Sequence, residues 1–159
     1  MKSIIICFSR SGKTLKVAES LKSKIRADFI RIEPVKPTDG VIGYIIEAYN
    51  SVRNKNVPIK PMLTDLSDYD TLIFCCPVFA QTTPGAVKEY LEQMKNYSNK
   101  KYAIILTSSE MRPEKASVRI KKQMDKENGQ FIGMLRIHEK EVKEDEYEEK
   151  VLEFSENFK

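Results

Sequence analysis

The sequence contains no tryptophan, one histidine and only three cysteines. A single histidine, His138, supports neither a zinc site nor a histidine-based triad, so we expect no metal. The odd number of cysteines, all in apolar runs and without a CxxC pair, predicts buried thiols rather than disulfides or a metal cluster; they are Cys7, Cys75 and Cys76. These absences remove most of the support for metalloenzyme and hydrolase functions.

Long apolar runs are also missing. Those that occur, such as IIIC near the start and LIFCC at 72–76, have the length of a strand and fall short of a membrane span. The first of them ends in Ser9-Arg10-Ser11 rather than in a signal-peptide cleavage site. We therefore predict a cytoplasmic protein that does not bind a membrane.

The charge balance is modest. Lysine and arginine number 27 and acidic residues 23, for a net charge of +4, and the two signs are mostly interspersed. This composition does not require a nucleic-acid partner. The acidic stretch at 139–150 is expected to cover the outer face of a last helix, and 159 residues suit one compact domain spanning 1–159.

Apolar, β-branched segments alternate with segments of helical periodicity along the chain. Strands are predicted over 3–8, 28–33, 71–77, 102–107 and 131–137. Helices are predicted from Lys13, over 38–53, after an N-cap at Thr83 with Pro84 as first residue, from Pro113 to a C-cap at Asn128-Gly129, and at the C-terminus. This alternation predicts an α/β fold: a doubly wound five-stranded parallel sheet with helices on both faces.

The segment SRSGKT at 9–14 lies between the first predicted strand and the first predicted helix. The N–H groups of a first helical turn have no partners within the helix, and a glycine there lets the backbone curl around an anion. Ser9, Ser11 and Thr14 are therefore candidate phosphate ligands. The local sequence leaves open the alternative that Ser11 only caps the helix and Gly12 only forms a turn.

The ending Gly12-Lys13-Thr14 is also that of a Walker P-loop. Its first glycine, however, would fall at Cys7 inside the strand, and no later strand ends in an obvious magnesium-binding acid. ATP or GTP binding is therefore not expected.

Two motifs resemble those of flavodoxin-like proteins. FSRSGKT at 8–14 resembles their aromatic-S-R-T-G-N-T opening, and YDTLIFCCPVFA at 69–80 resembles their Y-D-x, apolar run, P-V-W loop. The resemblance implies the flavodoxin-like sheet order 2-1-3-4-5, with flavin mononucleotide (FMN) bound where the first and third strands end.

The resemblance also implies which residues bind FMN, and it assigns no catalytic acid, base or nucleophile. The opening loop would hold the phosphate, the second loop would flank the isoalloxazine ring, and the loop after the fourth strand would form the other wall. The implied residues are Ser9, Arg10, Ser11, Gly12, Lys13, Thr14, Pro77, Val78, Phe79, Ala80, Thr107, Ser108, Ser109 and Glu110.

The sequence departs from the family pattern at both walls of the ring. Phe79 replaces a common tryptophan and could stack on the flavin or pack into the core, and residues 107–111 contain no aromatic. We predict an FMN-binding electron-transfer protein that exchanges electrons with redox partner proteins. Because no GxGxxG motif occurs, slow turnover with NAD(P)H alone is expected. The alternatives are a small FMN-dependent, quinone-type reductase and a flavin-free interaction module.

Overall fold

A five-stranded parallel sheet forms the centre of the computed structural model, which describes residues 1–36, 40–109 and 112–159. The sheet order is β2-β1-β3-β4-β5, and every neighbouring pair is parallel. This order confirms the predicted flavodoxin-like doubly wound sheet. The strands are β1 (Ser3–Cys7), β2 (Ala27–Arg31), β3 (Thr71–Pro77), β4 (Lys101–Ser108) and β5 (Gln130–His138).

Helices cover both faces of the sheet, as predicted. They are α1 (Lys13–Lys24), α2 (Gly40–Val52), α3 (Gly85–Gln93), α4 (Val118–Asp125), α5 (Glu139–Lys143) and α6 (Glu148–Ser155). Apolar side chains of α1, α5 and α6 pack on one face, and those of α3 and α4 pack on the other. Within the described ranges, no helix is both long and apolar enough to cross a membrane.

The three central strands are the most deeply buried. All residues of β1 and β3 are buried, whereas the edge strands β2 and β5 are partly exposed. This burial explains the uninterrupted apolar runs, since a parallel strand between two helical layers has no solvent face. The three cysteines are unpaired and buried here, and burial raises the pKa of the Cys7 thiol to about 12 although Arg31 opposes the shift.

Two predicted helix boundaries were wrong. The N-cap of α3 is Pro84 rather than Thr83, because Pro84 has an extended ψ of 145° and the helix begins only at Gly85. The buried Thr83 hydroxyl donates to the Ala116 carbonyl. The segment that begins at Pro113 first forms a 3₁₀ helix over Pro113–Ser117 and only then continues as α4.

The acidic segment also differs from its prediction as one outer helix face. His138 caps α5, its Nδ1 accepting from the Lys140 backbone while the Glu141 carboxylate accepts from the His138 backbone. Asp145 then adopts a φ of 57°, which ends the helical path before α6 begins. The segment therefore forms two short helices.

Gly85 at the start of α3 offers a test of this packing. An added Cβ would lie 2.7 Å from Val57 Cγ2 and 2.8 Å from the Lys55 carbonyl oxygen. We expect Gly85→Ala to lower the free energy of unfolding by about 1–3 kcal/mol, as overpacking does. Helix propensity alone would raise it by about 1 kcal/mol, so the sign is diagnostic.

Urea denaturation measures this difference. Gly133→Ala is the comparison, because its added Cβ would lie 3.3 Å from Phe154 Cε2, a side-chain atom, and should therefore cost less than the contacts below 3.0 Å at Gly85. A Gly85→Ala protein as stable as the wild type would contradict the close approach of the loop to α3.

Candidate functional site

The loops that follow β1, β3 and β4 meet at the carboxyl edge of the sheet. Cys7 at the end of β1 lies opposite Cys75, and Pro77 at the end of β3 lies opposite Thr107. The chain leaves β1 and β3 toward opposite faces of the sheet, so a crevice opens between them. Crevices of this kind are where open parallel sheets bind their ligands.

A cavity of about 270 Å³ occupies this crevice. Nine of the residues predicted to bind a cofactor line it, together with one residue that was not predicted. The lining residues are Arg10, Ser11, Lys13, Thr14, Pro77, Val78, Phe79, Thr107, Ser109 and Glu139.

The loop between β1 and α1 is shaped by Gly12. Gly12 is the N-cap of α1 and has a φ of 89°, a left-handed conformation that side chains disfavour. No side chain caps the helix, so the alternative in which Ser11 serves as its cap is wrong. The Gly12 N–H instead donates to Ser9 Oγ at 3.1 Å, so the Ser9 side chain stabilises the loop itself. Ser11 is exposed and lines the cavity.

Two threonine hydroxyls join the first helix to the fourth strand at the cavity wall. Thr14 Oγ1 lies 2.6 Å from Thr107 Oγ1, and both side chains are buried. A hydroxyl can accept and donate at the same time, so this bond leaves each threonine a further hydrogen-bonding position. The pair therefore holds two hydroxyl groups at the cavity wall, and each can still form a hydrogen bond with a ligand.

Charged groups surround the same loop. Lys13 Nζ donates to Glu139 Oε2 at 2.5 Å, and both side chains are partly buried. Arg10 Nη1 donates to the Gly40 carbonyl at 3.0 Å, and Arg31 Nη2 reaches the Ser9 carbonyl at 3.5 Å. With one carboxylate and two cations on its lining, the cavity carries a formal charge of +1.

Glu139 was missed by the sequence reasoning. It follows β5, which pairs with β4 so that His138 lies opposite Ser108. The motif resemblance included no residue after the fifth strand. The sequence did contain a signal for Glu139. All strands of a parallel sheet end at the same edge, so the residue that follows the fifth predicted strand should lie near the other loops.

The loop after β3 brings Phe79 into the core. Phe79 is 4% exposed and packs in the larger apolar cluster, while still lining the cavity. The backbones of Phe79 and Thr82 bond to each other, and the residues between them, Ala80 and Gln81, both have positive φ. This is the pattern of a tight turn of type I′. Ala80 is exposed and does not line the cavity.

The loop after β4 contributes hydroxyl groups. Thr107 and Ser109 line the cavity, whereas Ser108 is buried away from it. Glu110 lies outside the described residues. The described part of this loop contains no aromatic side chain, as its sequence requires.

The donor set fits a phosphate monoester. The first turn of α1 presents N–H groups without helical partners, and hydroxyls and two cations stand beside it. Gly12 leaves the space beside its α-carbon empty, because an added Cβ would meet nothing within 4 Å. FMN carries such a phosphate at one end and an aromatic ring at the other, and the cavity continues from this polar end to Pro77, Val78 and Phe79 of the second loop.

Comparisons with known proteins identify the family and support FMN as the cofactor. The sequence model of the NADPH-dependent FMN reductase family matches residues 1–149. No significant match was found among curated protein sequences.

Solved structures share the fold. A flavoprotein from Lactobacillus acidophilus in complex with FMN is 24% identical, with a TM-score of 0.68 over 90% of this chain and 97% of its own. The general stress protein 14 of Treponema denticola, also in complex with FMN, is 13% identical, with a TM-score of 0.64 over the full length of both chains. Flavodoxin 2 from Bacillus cereus is 16% identical, with a TM-score of 0.63 over 99% of this chain and 96% of its own.

The family match extends over nearly the whole chain and includes every strand and the complete cavity lining. The chain therefore belongs to the NADPH-dependent FMN reductase family, and it is a flavodoxin-like flavoprotein whose cofactor is FMN.

Proposed function

We propose that this protein is an FMN-dependent reductase in which the loop 9–14 holds the FMN phosphate. The observation that carries the proposal is the cavity beside the N-terminus of α1, where Gly12 opens the backbone and hydroxyl groups line the wall. When bound, FMN would accept electrons reversibly, either two at a time as a hydride or one at a time. The chain's own residues bind and orient it.

The phosphate would be held mainly by groups on α1. The Ser11 and Thr14 hydroxyls and the first N–H groups of the helix face the cavity end at which an anion is favoured by the helix dipole. A hydrogen bond to a charged oxygen contributes roughly 1.5–3 kcal/mol. Lys13 would add a cation at the rim, where Glu139 fixes the position of its ammonium group.

The walls around the ring favour direct reaction with a small molecule. Phe79 is packed in the core, and the described part of the β4 loop supplies only hydroxyl side chains. Phe79, which also lines the cavity, would therefore be the one aromatic side chain that the described parts of these loops offer to the flavin, and a nicotinamide or a quinone could stack on the other face of the ring. Such stacking needs no separate dinucleotide motif, so NADPH can act as donor although the sequence contains no GxGxxG.

The second candidate is an electron carrier that receives electrons from redox partner proteins. It is favoured by the absence of any glycine-rich pyrophosphate motif besides the loop already assigned to FMN.

We also propose the cytoplasm as the site of action, because the three buried cysteines are all unpaired.

The phosphate assignment predicts a preference between two flavins. FMN should bind at least about 10-fold more tightly than riboflavin, because riboflavin lacks the group to which the loop offers its hydrogen bonds. Titration of apoprotein with each flavin, followed by fluorescence quenching, measures both dissociation constants. Equal constants would remove the phosphate site from the proposal while leaving flavin binding intact.

Ser11→Ala separates ligand binding from folding. Ser11 is exposed and is not the helix cap, so we expect FMN binding to weaken by about 1–3 kcal/mol with apoprotein stability unchanged. Thr14→Ala should weaken binding similarly but should also destabilise the apoprotein, because Thr107 loses its partner. Calorimetric titration and thermal melts give the two quantities.

The matched control is Ser23→Ala, which removes a serine hydroxyl from the other end of α1, where it bonds to the Ser20 carbonyl. If Ser11→Ala and Ser23→Ala bind FMN with the same affinity, Ser11 is not a phosphate ligand.

The reductase proposal predicts flavin reduction without any partner protein. Anaerobic stopped-flow mixing of the FMN-loaded protein with NADPH should bleach the flavin absorbance faster than NADPH bleaches free FMN. Added quinone should then support repeated turnover. Bleaching that occurs only after a protein reductase is supplied would reject the reductase and favour the carrier.

A further inference from the structure

The ion pair of Lys13 with Glu139 is a feature of the cavity that the phosphate loop does not need. Hydroxyl groups and the first N–H groups of α1 already offer the hydrogen bonds that one phosphate group accepts. Lys13 Nζ nevertheless donates to Glu139 Oε2 at 2.5 Å, and both residues line the cavity. A carboxylate beside an anion site repels the anion, so Glu139 is unfavourable for FMN binding itself.

The pair joins the starts of two helices on one face of the sheet. Lys13 is the first residue of α1 and Glu139 the first of α5, and both helices contribute to the same apolar cluster. The second loop leads instead into α3, which packs on the opposite face. Glu139 therefore belongs to the phosphate end of the cavity, with the first loop, rather than to the end formed by residues 77–79.

The surrounding structure keeps Glu139 in this place. His138, the residue before it, is the last residue of β5 and also caps α5. The side chains of Lys13 and Glu139 are partly buried, with exposures of 27% and 32%. Water and salt therefore screen this pair less than the neighbouring pair on α1, Lys16 with Asp145, whose side chains are 50% and 67% exposed.

The sequence of the loop indicates what Lys13 would bind without Glu139. Gly12-Lys13-Thr14 is the ending of a Walker P-loop, in which backbone N–H groups cradle the inner phosphates and the lysine reaches the outer ones. In this protein the ammonium group of the corresponding lysine is bonded to a carboxylate of the chain itself. The Glu139 carboxylate therefore takes the partner position that a second phosphate would need.

We propose that Glu139 is a specificity-determining residue, which restricts the cavity to phosphate monoesters such as FMN and excludes diphosphate esters such as flavin adenine dinucleotide (FAD). A second phosphate would lie next to the carboxylate, and like charges at close range repel each other. It would also compete with Glu139 for Lys13, and the partly buried carboxylate would lose the Lys13 ammonium group. The inference rests on the proposed phosphate site of loop 9–14 and adds the residue that limits it.

Total charge does not explain such a selection. FMN concentrates its negative charge on one phosphate group, whereas FAD divides a similar charge between two. The formal charge of +1 on the cavity lining attracts both ligands. The position of the carboxylate beside Lys13 is what distinguishes them.

The test is the ratio of FMN to FAD affinity, measured by equilibrium dialysis of the FMN-loaded protein against mixtures of the two flavins. We expect the wild type to prefer FMN by at least about 10-fold, and Glu139→Ala to lower that preference by about 10-fold. Glu139→Gln keeps the size of the side chain and removes its charge, so it should lower the preference by at least about threefold. Loss of the carboxylate strengthens the binding of both flavins, and the ratio isolates the effect on the second phosphate.

Asp145→Asn is the matched control. It removes the same charge from the acidic partner of Lys16 on α1, and asparagine tolerates the left-handed φ of 57° at this position. Asp145 does not line the cavity, so the ratio of FMN to FAD affinity should stay at the wild-type value. Thermal melts establish that each variant is folded.

A double variant tests the role of Lys13. If Lys13 binds the second phosphate once Glu139 is removed, combining Lys13→Met with Glu139→Ala should abolish the gain in FAD binding relative to FMN. A gain that survives Lys13→Met would overturn the proposal. A wild type that binds both flavins equally, or a ratio that neither Glu139→Ala nor Glu139→Gln changes, would overturn it as well.

Riboflavin in the same dialysis separates this proposal from the phosphate site on which it rests. A wild type that prefers FMN to riboflavin, with a ratio of FMN to FAD affinity insensitive to Glu139, would reject only the specificity role. Equal binding of FMN and riboflavin would reject the phosphate site, and the specificity role with it.

Discussion

The burial of β1 and β3 side by side is the constraint on which the rest of the structure depends. Both strands are fully buried, and their pairing from Ser3 with Thr71 to Cys7 with Cys75 brings their carboxyl ends to the same edge of the sheet, with β3 extending two residues further to Pro77. Their loops must leave toward opposite faces, because α1 and α3 pack on opposite sides of the sheet. A register slip in this pair would move the hydroxyls of the loop after β1 away from the turn after β3. The cavity between the two loops would then be divided.

Local chemistry then refines the crevice. Gly12 turns the chain into α1, Ser9 stabilises that turn, and the hydroxyl bond between Thr14 and Thr107 ties the helix to β4. The ion pair of Lys13 with Glu139 connects the same loop to the end of β5. These bonds connect the first loop to β4 and to the end of β5, so the loops that line the cavity support one another.

Much of the fold could be predicted from the sequence because its strongest signals are local. SIIIC and TLIFCCP are uninterrupted apolar runs, and these became β1 and β3 with errors of at most one residue. The start of α3 could not be predicted, because the Thr83 hydroxyl donates to the carbonyl of Ala116, a residue distant in sequence. The break between α5 and α6 depends on the left-handed backbone at Asp145, where no glycine or proline signals a stop.

The site divides in the same way. The residues of the first loop follow from one motif, whereas Glu139 joins them only through the pairing of β4 with β5. The placement of Phe79 was undecided in the sequence, since a phenylalanine on a loop is apolar enough for either a ring or a core. In the structure Phe79 does both, since it packs in the larger apolar cluster and also lines the cavity. The apolar residues of α2 recur at helical spacing, which predicts a buried stripe, but Val41, Ile45 and Val52 are exposed in the structure.

The three thiols give the molecule a built-in chemical reporter. Cys7 and Cys75 lie opposite each other in the central strands and Cys76 follows on the other face, all without access to solvent. Burial also raises the pKa of each thiol, so the reactive thiolate is scarce in the folded state. Alkylation by a thiol reagent therefore requires the sheet itself to open. The rate of that labelling would measure how often the strands beneath the cavity separate, with no engineered probe.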